Sequence, residues 1–129
     1  MQEKDIKNKI LVIEDDSFDR LALIKMLELK FEKSNLYEAS DGQEGFEKYL
    51  SIKPNIILTD IRMPKVNGVE MIEKIRKIDK KTPIVVVSAY EKQLFNLQGL
   101  DISDYILKPI TLLHLYNSVY SCLDEQSQQ

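Results

Sequence analysis

Acidic, hydroxyl and basic side chains follow short apolar runs at several points of the chain. Three acids at residues 14–16 follow KILVI, and Asp60 follows NIILT. Ser88 follows TPIVVV, and Lys108 follows DYIL. Carboxylates that converge repel one another unless a proton or a cation neutralises them. These residue types therefore indicate a carboxylate nucleophile beside a bound cation, with a hydroxyl and an ammonium to neutralise an anionic group.

The runs that carry these residues alternate with longer segments of helical pattern. This alternation is typical of βα units, which build a parallel sheet covered on both faces. The first, third and fourth runs are nearly all apolar, so we expect them at the centre of the sheet. The predicted strands are residues 9–14, 35–39, 55–59, 84–87 and 104–107, and the predicted helices are residues 18–31, 43–50, 68–78, 91–98 and 112–123.

Polar residues at the predicted helix starts support these elements. Asp16 or Ser17 is a candidate N-cap of the first helix, Asp41 of the second and Thr111 of the last. The first helix is expected to bury a stripe formed by Leu21, Ile24, Met26, Leu27 and Phe31.

In doubly wound sheets the site lies beyond the carboxyl ends of the strands. Asp15 and Asp60 suit direct ligation of Mg²⁺, which prefers carboxylate oxygens and waters, with Glu14 acting through a bound water. Asp60 suits a nucleophile that forms an aspartyl phosphate. The Lys108 ammonium and the Ser88 hydroxyl would neutralise the remaining phosphoryl oxygens.

Composition limits the function classes. The chain has 129 residues, enough for one domain, and a net charge of −3, which gives no basic surface for direct nucleic-acid binding. A single cysteine, Cys122, excludes an internal disulfide and a cysteine zinc site, and suits a reducing compartment. No apolar run reaches the roughly 18 residues of a membrane span. We therefore expect a cytoplasmic protein that does not contact membranes.

Five segments in order resemble the receiver domain of bacterial two-component response regulators. They are KILVIEDD (9–16), EASDGQEG (38–45), NIILTDIRMPKVNG (55–68), TPIVVVSAY (82–90) and DYILKPI (104–110). Each segment is weak alone, but the ordered set is specific. The resemblance implies a doubly wound α/β fold, with a five-stranded parallel sheet in the order 2-1-3-4-5 and five helices on both faces. The receiver domain would span residues 9–123, between an N-terminal extension (1–8) and a polar C-terminal tail (124–129).

The resemblance also implies the role of each acidic residue. Asp60 would accept the phosphoryl group, so the domain would be a signalling phosphoacceptor that catalyses only its own phosphorylation and dephosphorylation. Glu14 and Asp15 would form the acidic pair that binds Mg²⁺, for which Mn²⁺ can substitute. The backbone carbonyl of Arg62 would complete the metal shell.

A second group of residues would read the phosphorylation state. The resemblance makes Ser88 the switch hydroxyl and Lys108 the phosphate contact, with a cis peptide bond to Pro109. Tyr105 would rotate inward when Ser88 moves toward the phosphoryl group.

The partners implied by the resemblance are a sensor histidine kinase or a histidine phosphotransfer protein as phosphoryl donor. The start of the first helix, including Phe18, Asp19 and Ala22, would be the docking surface. The downstream target or output domain is unknown, and a homodimer formed on phosphorylation is left open.

Two departures affect the expected output face and the lifetime of the phosphoprotein. The segment from Ser88 to Lys108 is shorter than the family pattern, which predicts a short or irregular fourth helix. Arg62 and Tyr90 lie two residues after the acceptor and the switch hydroxyl, respectively. We hypothesise that these bulky side chains obstruct the in-line water that hydrolyses the aspartyl phosphate.

Three other functions would use some of the same residues. A haloacid-dehalogenase-type phosphohydrolase needs a second aspartate two residues after the nucleophile, where this chain has Arg62. A flavodoxin-like module binds phosphate after the first strand, where the acids at residues 14–16 would repel it. A degenerate receiver acting only as an interaction module is the main alternative, although every expected site residue is present. Taken alone, Asp15 could be a helix cap and Tyr105 an ordinary strand aromatic.

Overall fold

Among the described residues, five parallel strands form one sheet in the order β2-β1-β3-β4-β5, as predicted. The computed structural model describes residues 4–63 and 65–127. The strands are β1 (Ile10–Ile13), β2 (Leu36–Ala39), β3 (Ile56–Thr59), β4 (Ile84–Ser88) and β5 (Asp104–Leu107). Every residue of β1, β3 and β4 is buried, whereas the edge strands are partly exposed. The nearly continuous apolar runs are therefore the central strands, because helices cover both of their faces.

In the part of the chain that the structure describes, four α-helices pack on the sheet: α1 (Ser17–Glu28), α2 (Gly42–Ile52), α3 (Gly68–Ile78) and α4 (Leu112–Ser127). The predicted capping residues are confirmed. The Asp16 side chain accepts a hydrogen bond from the first turn of α1, and the Asp41 side chain does the same in α2. The Thr111 hydroxyl oxygen accepts a bond of 3.2 Å from the backbone N–H of His114 in α4. These bonds satisfy N–H groups that have no partner inside a helix.

The core consists of two layers, one on each face of the sheet. Alternate residues of β1 point to opposite faces: Ile10 and Val12 pack with α1 and α4, and Leu11 and Ile13 pack with α2 and α3. Within the described ranges, no helix is both long and apolar enough to cross a bilayer.

The buried stripe predicted for α1 is partly wrong. Leu21 is 54% exposed, whereas Leu23, which does not belong to the predicted stripe, is buried. Ile24, Leu27 and Phe31 are buried as expected, although Phe31 lies beyond the end of the helix at Glu28. The helix has leucines on more than one side, so sequence spacing did not determine which side faces the sheet.

The prediction of five helices is wrong, because residues 91–98 do not form a fourth α-helix, whereas the prediction that this region is short or irregular is confirmed. They contain only a 3₁₀ turn, Lys92–Leu94. Leu97 is buried, but Leu94 is 62% exposed. The apolar residues of this segment thus do not line one helical face. The segment turns into β5 through two residues with positive φ, Gly99 at 82° and Asp101 at 52°.

The buried side chain of Arg76 in α3 holds the irregular segment between β4 and β5, residues 89–103, in place. Its guanidinium donates hydrogen bonds to the carbonyls of Leu100 at 2.9 Å and Asp101 at 3.0 Å. A third bond of 3.0 Å reaches the Asp79 carbonyl at the end of α3. The guanidinium thereby satisfies carbonyls that a helical connection would satisfy internally.

Both ends of the described chain are more closely tied to the domain than the sequence suggested. Helix α4 continues to Ser127, past the predicted start of the tail at residue 124. Near the N-terminus, Asp5 pairs with Phe31, and the Asn35 side chain donates to the Ile6 carbonyl at 2.8 Å. The domain limits drawn from the sequence remain a prediction.

Candidate functional site

The carboxyl ends of four neighbouring strands bring the predicted site residues to one edge of the sheet. Ile13 pairs with Thr59, and Ser88 pairs with Leu107. The backbone N–H of Asp60 donates to the Ile13 carbonyl at 3.0 Å. Parallel pairing therefore places the residues that follow these strands together at the position predicted for doubly wound sheets.

Three carboxylates form a cluster that fits a hard divalent cation. Glu14, Asp15 and Asp60 each offer an oxygen, and these oxygens lie within 4.8 Å of one another. Glu14 is buried and Asp15 is exposed. Burial raises the pKa of Glu14 to about 7, and the hydrogen bond from Lys108 opposes this rise. Three oxygen donors with an open side toward solvent suit Mg²⁺, which retains several waters.

The Lys108 ammonium lies among the carboxylates. Its Nζ atom is 2.5 Å from Glu14 Oε1, 2.8 Å from Asp19 Oδ2 and 3.0 Å from Asp60 Oδ2. Burial lowers the pKa of Lys108, but the hydrogen bonds to the three carboxylates outweigh this effect, so the pKa is raised. The Lys108–Pro109 peptide bond is cis, as expected. A charged ammonium thus lies within hydrogen-bonding distance of the candidate acceptor.

The backbone around Asp60 is closely packed. Asp60 Oδ1 accepts a bond of 2.6 Å from the Ile61 N–H, which orients the carboxylate. The Gly68 N–H donates to the Ile61 carbonyl at 2.7 Å. A Cβ atom on Gly68 would lie 2.4 Å from the Asp60 carbonyl oxygen. Only glycine therefore lets α3 begin so close to the acceptor loop.

Ser88 and Tyr105 are connected through the backbone of Tyr90. Ser88 is fully buried, and its hydroxyl oxygen accepts a bond of 3.1 Å from the Tyr90 N–H. The Tyr105 hydroxyl donates to the Tyr90 carbonyl at 2.6 Å. Burial raises the pKa of Tyr105, and the Ser88 hydroxyl acts in the opposite direction. The two residues are adjacent, as a switch pair requires, but their switching role stays a prediction.

Arg62 and Tyr90 form a stacked contact that also includes Phe95. The guanidinium carbon of Arg62 lies 4.3 Å from the centroid of the Tyr90 ring and 6.0 Å from that of Phe95. The two rings meet edge to face at 6.3 Å. Sequence reasoning paired Arg62 with Tyr90 but missed Phe95, which reaches them because residues 91–98 are not a regular helix. The metal-binding role of the Arg62 carbonyl stays a prediction.

The predicted docking residues at the start of α1 have different environments. Phe18 is 83% exposed, and Ala22 is exposed. Asp19, in contrast, contacts Lys108, a contact that the sequence did not reveal. The one feature of the sequence that could have indicated this contact is the position of Asp19, an acid in the first turn of the helix that follows the acids at residues 14–16. Beside it, a hollow of about 240 Å³ lies between α1 and Pro109.

Comparison with known proteins agrees with this geometry. The family model of the response regulator receiver domain matches residues 10–120. Response regulator ArlR of Staphylococcus aureus is 35% identical over 123 residues, which cover 94% of this chain and 55% of that protein. The chain thus spans about half the length of the curated relatives it matches.

Solved structures show the same fold. The N-terminal domain of an uncharacterized protein from Wolinella succinogenes has a TM-score of 0.83 and 29% identity, covering 95% of this chain and 99% of that one. The CheX–CheY–BeF₃–Mg²⁺ complex from Borrelia burgdorferi has a TM-score of 0.81 and 26% identity, covering 90% and 89%. With the strand order and the grouped acids, hydroxyl and lysine, these matches establish that the chain belongs to the response regulator receiver domain family.

Proposed function

We propose that this receiver domain accepts a phosphoryl group on the side chain of Asp60. The observation that carries the proposal is the position of Asp60. It belongs to the carboxylate cluster, and it also lies within hydrogen-bonding distance of the Lys108 ammonium. A carboxylate is a weak nucleophile, and it reacts with a phosphoryl group only where the negative charge of that group is neutralised. Lys108 supplies one positive charge beside Asp60, and a cation held by the carboxylate cluster would supply the other.

Each residue has a distinct part in the transfer. The Asp60 oxygen forms the new P–O bond as the bond from phosphorus to the donor breaks, and the bonding electrons leave with the donor. The Ile61 N–H fixes the orientation of the Asp60 carboxylate. Lys108 and the Ser88 hydroxyl neutralise developing charge on the phosphoryl oxygens. Glu14, Asp15 and Asp60 would hold Mg²⁺ or Mn²⁺, which supplies positive charge for a further phosphoryl oxygen.

The proposed donor is a histidine on a sensor kinase or on a phosphotransfer protein, in keeping with the response regulator relatives. The structure from Borrelia burgdorferi is a complex of CheX and CheY with BeF₃ and Mg²⁺, which supports a phosphoryl-and-metal site in this chain. We place the domain in the cytoplasm. Phosphorylation would draw Ser88 inward and shift a pre-existing equilibrium of Tyr105 and the surface near β5.

Metal removal tests the proposal directly. Wild-type protein incubated with acetyl phosphate and MgCl₂ is expected to gain one phosphoryl group, because Mg²⁺ neutralises the negative charge of both the carboxylates and the incoming phosphoryl group. The gain is expected to disappear with excess EDTA and to return with MnCl₂. Intact mass spectrometry measures both. No gain under any of these conditions would contradict the proposal and favour a receiver fold that acts only as an interaction module.

A second prediction concerns the lifetime of the phosphoprotein. The double variant Arg62→Asn, Tyr90→Glu is expected to lose phosphate about two- to fivefold faster than wild type. This factor corresponds to the roughly 0.5–1 kcal/mol of an exposed cation–π contact that must open to admit water. The measurement is phosphate release after removal of the donor.

A matched control removes a similar contact elsewhere. Lys74 Nζ lies 5.4 Å from the Phe46 ring centroid, and Lys74→Asn is expected to leave the release rate unchanged. Release from the wild type as fast as, or faster than, release from the double variant would refute obstruction by Arg62 and Tyr90.

A further inference from the structure

All three N–H groups of the Lys108 ammonium are used in the structure. The acceptors are Glu14, Asp19 and Asp60, at distances of 2.5, 2.8 and 3.0 Å. A lysine ammonium has three donors and no more. The Lys108 side chain is also only 16% exposed, so its movement is restricted. A phosphoryl oxygen on Asp60 can therefore gain a hydrogen bond from Lys108 only if one of these carboxylates gives one up.

The three acceptors are not equivalent. Glu14 and Asp60 belong to the carboxylate cluster that fits a cation, whereas Asp19 lies outside it. A cation held by that cluster would repel the ammonium and would compete with it for the charge of Glu14 and Asp60. Asp19 would then be the strongest acceptor left to Lys108. Its backbone is held in the first turn of α1, where its N–H donates to Asp16 Oδ1 at 2.9 Å.

Asp19 contacts Lys108 from the α1 side of the site. Both residues line the hollow of about 240 Å³ beside α1, together with Ala22, Met26 and Pro109. The bond to Asp19 thus holds the ammonium on the α1 side of the site, while the phosphoryl group must bond to Asp60. The Asp19 carboxylate and the incoming phosphoryl group therefore compete for the Lys108 ammonium.

We propose that Asp19 is a positioning residue that restrains Lys108 and thereby slows phosphorylation by small phosphoryl donors. This inference rests on the proposed function, because it assumes that Asp60 is phosphorylated. Small donors such as acetyl phosphate have no cationic group that could pair with Asp19 in place of Lys108. The Asp19 side chain is 50% exposed, so a basic side chain of a protein donor can reach it. The restraint therefore favours donors that bring such a group.

The test compares Asp19→Asn with wild type at saturating Mg²⁺ and limiting acetyl phosphate. The variant is expected to be phosphorylated about fivefold faster, the factor that corresponds to one partly exposed ion pair. Asp16→Asn is the matched control. It removes the same charge from the same helix end, and asparagine caps a helix as well as aspartate does. Its rate is expected to stay close to that of wild type.

A double-mutant cycle separates restraint of Lys108 from a merely structural effect. In a Lys108→Met background, Asp19→Asn is expected to change the rate no more than Asp16→Asn does. Equal rates for wild type and Asp19→Asn, a slower variant, or an equal gain in Asp16→Asn would each overturn the inference while leaving the proposed function intact. A wild type that gains no phosphoryl group would overturn both.

Discussion

Asp60→Asn is expected to abolish the phosphoryl gain from acetyl phosphate. The amide nitrogen that replaces one carboxylate oxygen is not a nucleophile toward phosphorus. It also removes a charge from the carboxylate cluster and leaves Lys108 without one of its three acceptors. The fold should persist, because the remaining amide oxygen can still accept the bond from the Ile61 N–H. Intact mass after incubation with MgCl₂ measures the loss.

Asp41→Asn is the matched control for this variant. Asp41 is an acid at the carboxyl edge of the same sheet, where it caps α2 and pairs with Lys65 at 3.6 Å. Asparagine preserves the cap, so phosphorylation should proceed as in wild type.

The linkage identifies the acceptor chemically. An aspartyl phosphate is an acyl phosphate and is cleaved by hydroxylamine, whereas a phosphate ester on Thr59, the buried residue before Asp60, would resist it. A hydroxylamine-sensitive gain that survives in Asp60→Asn would show that another carboxylate is the acceptor.

Arg76→Met is expected to lower the free energy of unfolding by about 3 kcal/mol. Methionine fills part of the buried volume but donates no hydrogen bonds. Three carbonyls, those of Asp79, Leu100 and Asp101, would lose their contacts with the guanidinium. The irregular segment before β5 would lose its attachment to α3. Urea unfolding followed by circular dichroism measures the change.

Lys77→Met on the exposed side of the same helix provides the comparison. It changes the charge equally and is expected to alter stability by less than about 0.5 kcal/mol. A loss below about 1 kcal/mol in Arg76→Met would mean that water or a rearranged segment satisfies the carbonyls equally well. The segment would then be held by apolar contacts such as those of Leu97.

The sequence predicted the sheet well, because strands that are buried on both faces consist almost entirely of apolar residues. β1, β3 and β4 are continuous apolar runs and lie at the centre, while the less apolar β2 and β5 lie at the edges. The capping residues were also readable, since the bond from an N-cap to the first turn is local.

The approach of Glu14, Asp15, Asp60, Ser88 and Lys108 to one edge of the sheet could likewise be predicted. Each follows or ends a strand, and parallel strands place their carboxyl ends together. The chemistry of carboxylate, hydroxyl and ammonium groups indicated their proposed roles, and the resemblance to the receiver family added the switch role of Ser88.

Tertiary structure alone decided how helices and loops meet this framework. Which leucines of α1 face the sheet depends on the rotation of the helix, and that rotation also brings Asp19 to Lys108 across 89 residues of chain. The path of residues 89–103 depends on Arg76, which holds carbonyls of a loop 24 and 25 residues away. Strand burial and helix caps are local properties, because an apolar run indicates the first and a polar residue at a helix start indicates the second. Contacts between side chains on different elements depend on packing angles, which sequence spacing does not contain.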